Sequence, residues 1–352
     1  MMPVKIGCVG LRRGRHLLKY LLKSQLAQTV AICDINVNLI NITKEELSLP
    51  NLQTFTSYEE FLKSDIDAII IATPATNHVE YVKMAMESGK HVLSEIPAIA
   101  TLDEAKILKE VVLAYPNLKY MCAENCCYLS VIQDWKKMYE YGDIGEFFYA
   151  ECDYLHDCRY LMQDNSGNLL WRAYYDSINY LTHDVGVMLY LLSDKVESVS
   201  AFTPGVKVTP ANYTGNSNQI GIFKTEKGAI IKMVCALAIN AQPTHNYAVY
   251  GTKGSLERNR NENWVDADTF ATFSTEENQR VYERKIIPTK KTSNLGGHGD
   301  VDIKMLEAFL ECIINDTPSP IDVDMAINMS IAGIYAVESA KQGGIPIKIP
   351  KI

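Results

Sequence analysis

The stretch Lys5-Ile6-Gly7-Cys8-Val9-Gly10-Leu11-Arg12-Arg13-Gly14-Arg15-His16 decides the fold. An apolar run enters a glycine turn, and a basic segment then opens a helix. A second apolar run, Val30-Ala31-Ile32-Cys33, ends in Asp34. Strand, glycine turn, helix and a strand closing on an acid are the layout of a dinucleotide-binding βαβ unit. Glycine lets backbone approach a pyrophosphate, and a helix N-terminus offers free N–H groups in positive potential. Gly10, Leu11, Arg12 and Arg13 are therefore expected at the pyrophosphate and Asp34 at the ribose. A carboxylate accepts hydrogen bonds from ribose hydroxyls and repels a 2′-phosphate, so the expected cofactor is NAD rather than NADP. The glycine pattern is incomplete, because Arg12 and Arg15 stand where G-x-G-x-x-G counted from Gly10 would place glycines. The alternative is an ordinary strand–turn–helix of another α/β protein, with Arg12, Arg13 and Arg15 merely solvated.

The alternation continues outward from this stretch. Helices are expected over 36–47, 58–63, 79–88 and 102–114, with strands at 53–55, 68–72, 91–95 and 119–123. Ala68-Ile69-Ile70-Ile71-Ala72 is an unbroken apolar run, as in a parallel strand buried on both faces. Six strands alternating with helices predict a doubly wound parallel sheet, a Rossmann domain over residues 1–126. From 127 the character changes. A helix at 130–141, a strand at 146–154 and a helix at 182–192 precede strand-like runs at 196–203, 218–224, 229–239, 246–250 and 270–286. Helices near 300–315 and 324–342 and a short strand at 345–349 close the chain. Residues 127–352 thus read as an α+β domain with a largely antiparallel open sheet, for substrate binding and oligomerisation.

Composition narrows the function classes. With 352 residues the chain can build two cores. A net charge of −8 without a basic block argues against nucleic acid as a partner. No apolar run reaches the ~20 residues of a membrane span. The chain opens directly on a strand, the pattern expected without a signal peptide. The nine cysteines are scattered, and the spacing of Cys122, Cys126 and Cys127 is not that of a zinc site. Reduced thiols, a cytoplasmic location and no metal are expected.

Further motifs carry a resemblance. Ala72-Thr73-Pro74-Ala75-Thr76-Asn77-His78, Gly89-Lys90-His91-Val92 leading to Glu95-x-Pro97, and Gly251-Thr252-Lys253-Gly254 resemble the Gfo/Idh/MocA family of NAD(P)-dependent enzymes of sugars and cyclitols, over essentially the whole chain. Within it, Gly10-Leu11-Arg12, Glu124-Asn125-x-Cys127-Tyr128, Tyr154-x-His156-Asp157-x-Arg159, Trp171-Arg172, Tyr180-x-Thr182-His183 and Gly297-His298-Gly299 look most like glycoside hydrolase family 109 and related NAD-dependent glycosidases. One departure stands out. Most dehydrogenases of the family have Glu-Lys-Pro after the fifth strand, with the lysine near the reacting hydroxyl. Here the middle residue is Ile96, which cannot transfer a proton. A tyrosine that family 109 places before the Gly-Thr-Lys-Gly turn has no clear counterpart in Gln242-Pro243-Thr244-His245-Asn246-Tyr247.

Ligands of doubly wound sheets sit beyond the C-terminal strand ends, where Thr73, Pro74, Asn77, His78 and Glu95 fall. These are expected around the cofactor, with Asn125. For His78 the alternative is a helix-start hydrogen bond, and for Glu95 a surface acid. His183, read as starting a helix with an apolar continuation, is either a satisfied core histidine or, as the resemblance implies, the residue facing nicotinamide and substrate. An imidazole near its free pKa of ~6.5 suits removal of a hydroxyl proton as hydride leaves the same carbon. Tyr180, Tyr154 and Glu124 complete the expected catalytic set, against a turn or capping role for Glu124 and Asn125. Trp171, Arg172, His156 and Arg159 are expected to hold substrate, since ring faces stack on sugars and polar groups bond hydroxyls; a polar strand end is the alternative for 154–160. His298 is expected at the site edge. Tyr174, Tyr175, Tyr247 and Tyr250 read mainly as packing residues.

The expected function is NAD-dependent chemistry on a carbohydrate: hydride transfer from a ring carbon, C3, as part of redox-neutral glycosidic cleavage. The alternatives are a plain sugar or cyclitol dehydrogenase and a non-enzymatic dinucleotide sensor. The expected assembly is a homo-oligomer, a dimer or tetramer whose open sheets pair.

Overall fold

The computed structural model describes residues 2–164, 166–262, 265–274, 282–289, 298 and 300–352. The chain divides into two compact units: Met1–Glu124 with Asp300–Ile327, and Asn125–Gly299 with Asn328–Ile352. The segment 300–327 groups by its contacts with the first unit. The reason is local chemistry: Asp302, at the start of this segment, is buried against Arg13.

The first unit alternates β1 (Val4–Val9), α1 (Leu11–Leu21), β2 (Ala27–Cys33), α2 (Val37–Leu47), β3 (Gln53–Phe55), α3 (Tyr58–Leu62), β4 (Ala68–Ile71), α4 (His78–Glu87), β5 (His91–Ser94), α5 (Leu102–Ala114) and β6 (Tyr120–Cys122). The strands form one sheet in the order β3-β2-β1-β4-β5-β6, and every pairing is parallel. All four residues of β4 are buried, as both-face coverage requires. Strand order reverses at β1 and β4, which opens the ligand crevice of a Rossmann sheet beyond their C-terminal ends. Gly10 follows β1 there, and Thr73 and Pro74 follow β4.

The second unit contains α6 (Ser130–Glu140), β7 (Phe147–Leu155), α7 (Val185–Leu192), β8 (Val196–Phe202), β9 (Asn218–Thr225), β10 (Ile230–Ala236), β11 (Thr244–Gly251), β12 (Gly254–Arg258), β13 (Thr269–Ser274), β14 (Tyr282–Ile287) and β15 (Ile347–Lys348). Helix α8 (Val301–Ile314) lies in the first unit, and α9 (Val323–Lys341) runs from the first segment into the second. The sheet order is β14-β13-β12-β11-β7-β10-β9-β8-β15. Only the β7–β10 pair is parallel among the described strands; the rest of the ladder is antiparallel. Period-two burial is clear on β9: Gln219, Gly221, Phe223 and Thr225 are buried while Ile220, Ile222 and Lys224 are exposed.

Two expectations need correction. The apolar run after Thr182 read as helix from 182, but residues 177–183 form 3₁₀ turns, and Asp184 (φ −133°, ψ −74°) separates them from α7. The run 270–286 read as one strand, but β13 and β14 are separate, residues 275–281 lie outside the described residues, and β12 was missed.

Candidate functional site: a nucleotide cradle and an aromatic–histidine cluster

In the first unit, Gly10 caps α1 with φ +87° and provides no side chain to close the helix N-terminus. A Cβ at Gly10 would lie 2.4 Å from the Ala72 carbonyl oxygen, so only glycine permits this turn. Gly14 serves a second end: a Cβ there would come within 2.3 Å of Cys8 Sγ, so its absence lets α1 pack on β1. The Asp34 carboxylate accepts from the Leu11 N–H (2.8 Å) and the Asn36 N–H (2.8 Å), which fixes it beside the turn. Thr73 Oγ1 is shielded from solvent and has no hydrogen-bond partner among the described residues. A glycine-lined helix end, a fixed carboxylate and an orphaned hydroxyl fit a dinucleotide, which Gly10, Leu11 and Arg12 would hold at the pyrophosphate, Asp34 at the ribose and Thr73-Pro74 alongside.

Three residues expected at the cofactor are used elsewhere. Arg13 donates to Glu95 Oε1 (2.9 Å) and, bidentately, to Asp302 (2.9 and 2.8 Å). Burial opposes its charge, but Glu95 and Asp302 outweigh that and hold the guanidinium more firmly protonated than usual. Arg13 and Glu95 therefore satisfy each other. His78 is 1% exposed, with its ring nitrogens 2.9 Å from the Pro97 and Thr73 carbonyl oxygens. It braces the loops after β4 and β5. Burial pushes its pKa down. Asn77 precedes it, half-buried, and Ile96 is buried before Pro97. Glu124 lies just past β6 and is fully buried.

In the second unit, β7, β11 and the 3₁₀ turns gather a cluster of rings. Register pairs Tyr154 on β7 with His245 on β11, and their rings stack at 4.2 Å. His183 ends the 177–183 turn with its ring 5.5 Å from Tyr154, edge to face, and 5.4 Å from His245. Tyr247 donates its hydroxyl to the His183 carbonyl at 2.6 Å. Cys126 Sγ lies 3.5 Å from His183 Nδ1. Tyr154 Oη is 3.2 Å from His156 Nδ1. The Arg172 guanidinium donates to Tyr180 Oη (2.9 Å) and lies 4.4 Å over the Trp171 ring. Trp171 also meets Tyr175 edge-on at 5.2 Å. Asn125 Nδ2 is 3.0 Å from His298 Nδ1; the flanking Gly297 and Gly299 lie outside the described residues. Arg159 is paired with Asp157 and donates to Asn240 Oδ1 at 2.8 Å.

Burial disfavours the charged forms of three of these rings. It pushes Tyr154 well above the ordinary phenol range, with neighbouring thiols and Tyr180 adding to it. It lowers His156, aided by His298 and His183, and pulls His245 well below the usual imidazole value, aided by the same histidines. His245 Nδ1 lies 3.6 Å from Asp184, within ion-pair distance. The contact is not an ion pair, because His245 stays uncharged.

Residues 4–120 match the family described as oxidoreductase family, NAD-binding Rossmann fold, and residues 136–349 match its C-terminal alpha/beta domain. The chain belongs to the Gfo/Idh/MocA oxidoreductase family. Residues 4–120 of its first unit are the NAD-binding domain of that family. Curated relatives of this Gfo/Idh/MocA chain include a glycosyl hydrolase family 109 protein of Solibacter usitatus, 25% identical with 99% of this chain and 87% of that protein covered. Another, of Porphyromonas gingivalis, is 27% identical over 99% and 84%. An alpha-N-acetylgalactosaminidase of Shewanella oneidensis is 25% identical over 99% and 85%. The fold is shared with levoglucosan dehydrogenase in complex with NADH and L-sorbose (TM-score 0.86, 20% identity, 100% of both chains). It is also shared with scyllo-inositol dehydrogenase from Lactobacillus casei (TM-score 0.79, 19% identity, 98% and 99%).

Sequence reasoning missed His245, Cys126 and the Arg13–Asp302 pair. His245 was visible only as one letter before a glycine turn; its place opposite Tyr154 follows from strand register, which sequence does not print.

Proposed function

We propose that this protein is an NAD-dependent enzyme that oxidises a ring carbon of a glycoside, C3, and in the same redox-neutral turnover cleaves the glycosidic bond. The observation that carries the reading is the packing of the His183, Tyr154, Tyr180 and His156 rings against one another, with Trp171 and Arg172 beside them and an isoleucine where a lysine would assist simple dehydrogenation. When bound, NAD accepts a hydride from the sugar and returns it. His183 Nε2 takes the proton of the reacting hydroxyl as the ketone forms. The ketone acidifies the neighbouring C2–H; its proton passes to a base of the cluster as the aglycone leaves, and water then adds at C1 while a proton returns to C2. Tyr154, held protonated by burial, suits donation to the leaving oxygen, and His156 at 3.2 Å can relay the proton back, its second nitrogen taking a proton from water as the first gives one up. Tyr180 accepts from Arg172, which fixes its hydroxyl beside the Trp171 ring. Trp171 supplies a face for the sugar ring. Glu124 and Asn125 are further polar groups of the proposal, and Arg159 a substrate contact at its margin. Asp34 favours NAD over NADP.

Two broader features belong to the same proposal. All nine cysteines are buried thiols without disulfides, which suits a cytoplasmic protein. Exposed Ile220, Ile222 and Phe202 on the second sheet suit a homo-oligomer. No helix among the described residues is long and apolar enough to cross a membrane.

A panel of 4-nitrophenyl glycosides, 4-nitrophenyl α-N-acetylgalactosaminide among them, tests the reading. The expected result is release of nitrophenol with no steady build-up of NADH absorbance, and deuterium at C2 of the product in heavy water. Stoichiometric NADH with an intact glycosidic bond would leave a plain sugar dehydrogenase. NAD binding without turnover of any sugar would leave a sensor.

A further inference from the structure

The cluster assigns a use to every ring in it but not to the thiol that touches the central one. Cys126 is 1% exposed, in the buried turn Asn125–Tyr128. The turn is fixed from outside the thiol: the Leu129 N–H donates to the Cys126 carbonyl at 3.2 Å and Gln133 Nε2 to the Cys127 carbonyl at 2.6 Å. Its Sγ reaches His183 Nδ1 at 3.5 Å, a hydrogen-bond distance for sulfur. On the other side of His183, Tyr247 grips the backbone carbonyl. His183 is therefore held twice, by oxygen at its backbone and by sulfur at its ring.

We propose that Cys126 is a positioning residue that accepts the Nδ1–H of His183 and so holds the imidazole with Nε2 bare. A neutral imidazole carries one proton, and the partner at one nitrogen decides which nitrogen has it. The proposal rests on the reading of His183 as proton acceptor, since acceptance at Nε2 requires the proton to sit on Nδ1 and requires an acceptor there. A thiol sulfur is a weak acceptor and carries no charge. It can keep the same bond when His183 becomes an imidazolium, because Nδ1 carries a proton in both states. The arrangement has the geometry of a base oriented by a third group, with a neutral orienter.

The test needs no substrate for its first arm. The full chain is labelled with ¹⁵N-histidine, and the ring nitrogens of His183 are assigned by their loss in His183→Gln. At pH 8 the wild type should show a protonated Nδ1 and a bare Nε2. Cys126→Ser, which keeps an acceptor, should preserve that pattern, and Cys126→Ala should shift it toward a proton on Nε2. On the best glycoside of the panel, Cys126→Ala should lower kcat by up to about tenfold with little change in KM, the size of one neutral hydrogen bond, and Cys126→Ser should recover most of it. A proton on Nε2 in the wild type overturns the proposal even if the alanine variant fails to fold, and so does an unchanged His183 pattern in Cys126→Ala. Normal turnover by His183→Ala would instead sink the catalytic reading and leave the tautomer result standing by itself.

Discussion

Around the glycine turn of the first unit, charged side chains hold one another: half-buried Arg13 is gripped by Glu95 and the buried Asp302, with Asp34 beside Gly10 on backbone N–H groups. Around Tyr154 in the second unit, the groups are mostly rings, and burial disfavours the charged forms of Tyr154, His156 and His245, with Arg172 at the margin and Asp184 behind His245. The contrast follows what each would hold. A dinucleotide brings fixed charges, and a preorganised charged frame can orient it. A sugar brings none, so a neutral surface of stacked rings and single hydrogen bonds suits it, and a proton can move within it without large electrostatic cost.

The contrast can be broken most severely on the neutral side. His183→Ala should lower kcat on the responsive glycoside by 10²–10⁴-fold, the usual loss for a general base, while thermal unfolding stays close to wild type. A large fall in melting temperature with intact specific activity would make His183 a packing residue. On the charged side, Asp302→Asn keeps shape but removes one partner of Arg13. It should destabilise by roughly 2 kcal/mol, less than a fully buried pair, because Arg13 is partly exposed and keeps Glu95. Chemical denaturation measures this, and an unchanged midpoint would show that the carboxylate contributes nothing net. The smallest effect is in pH. His16, His78, His91, His156 and His245 all have depressed pKa values in the folded chain, burial being the first cause of each. Above ~6.5 both folded and unfolded forms are neutral. Below it the unfolded chain binds protons that the folded chain resists, so stability should fall as pH drops from ~6.5 toward the folded values. Melting temperatures at pH 7.5, 6.5 and 5.5 should decline by several degrees; a rise on acidification would mean these rings are charged in the native state.

The two regions were also unequally legible. The first unit could be read almost strand by strand, because continuous apolar runs such as Ala68–Ile71 and the turn at Gly10 are local signals. The helix at Val185 was placed three residues too early because its apolar residues continue a pattern that begins in the 3₁₀ turn, where Thr182 and His183 look no different from a helix start. Strand β12 was missed because Gly254-Ser255-Leu256-Glu257-Arg258 has one strongly apolar residue. Tyr154, His156, Tyr180 and His183 were found through short motifs, but what organises them was not. Arg13 meets Asp302 from 289 positions away, and His245 meets Tyr154 through a ladder. Neither contact has a period or spacing that sequence could reveal.

That ladder has a consequence for how the protein is made. Strand β7 carries Tyr154, yet its two neighbours are β10 and β11, and no strand adjacent in sequence flanks it. Both pairings close long loops, so the chain must settle their entropy before either rewards it, the condition that slows folding of non-local sheets. On a ribosome, Tyr154 would wait until Thr244–Gly251 had emerged before His245 could stack on it. A slip of one residue in that late pairing would turn Tyr154 to the opposite face. The aromatic cluster is therefore a checkpoint of its own sheet: a nascent chain holds these rings together only once β11 has found its register.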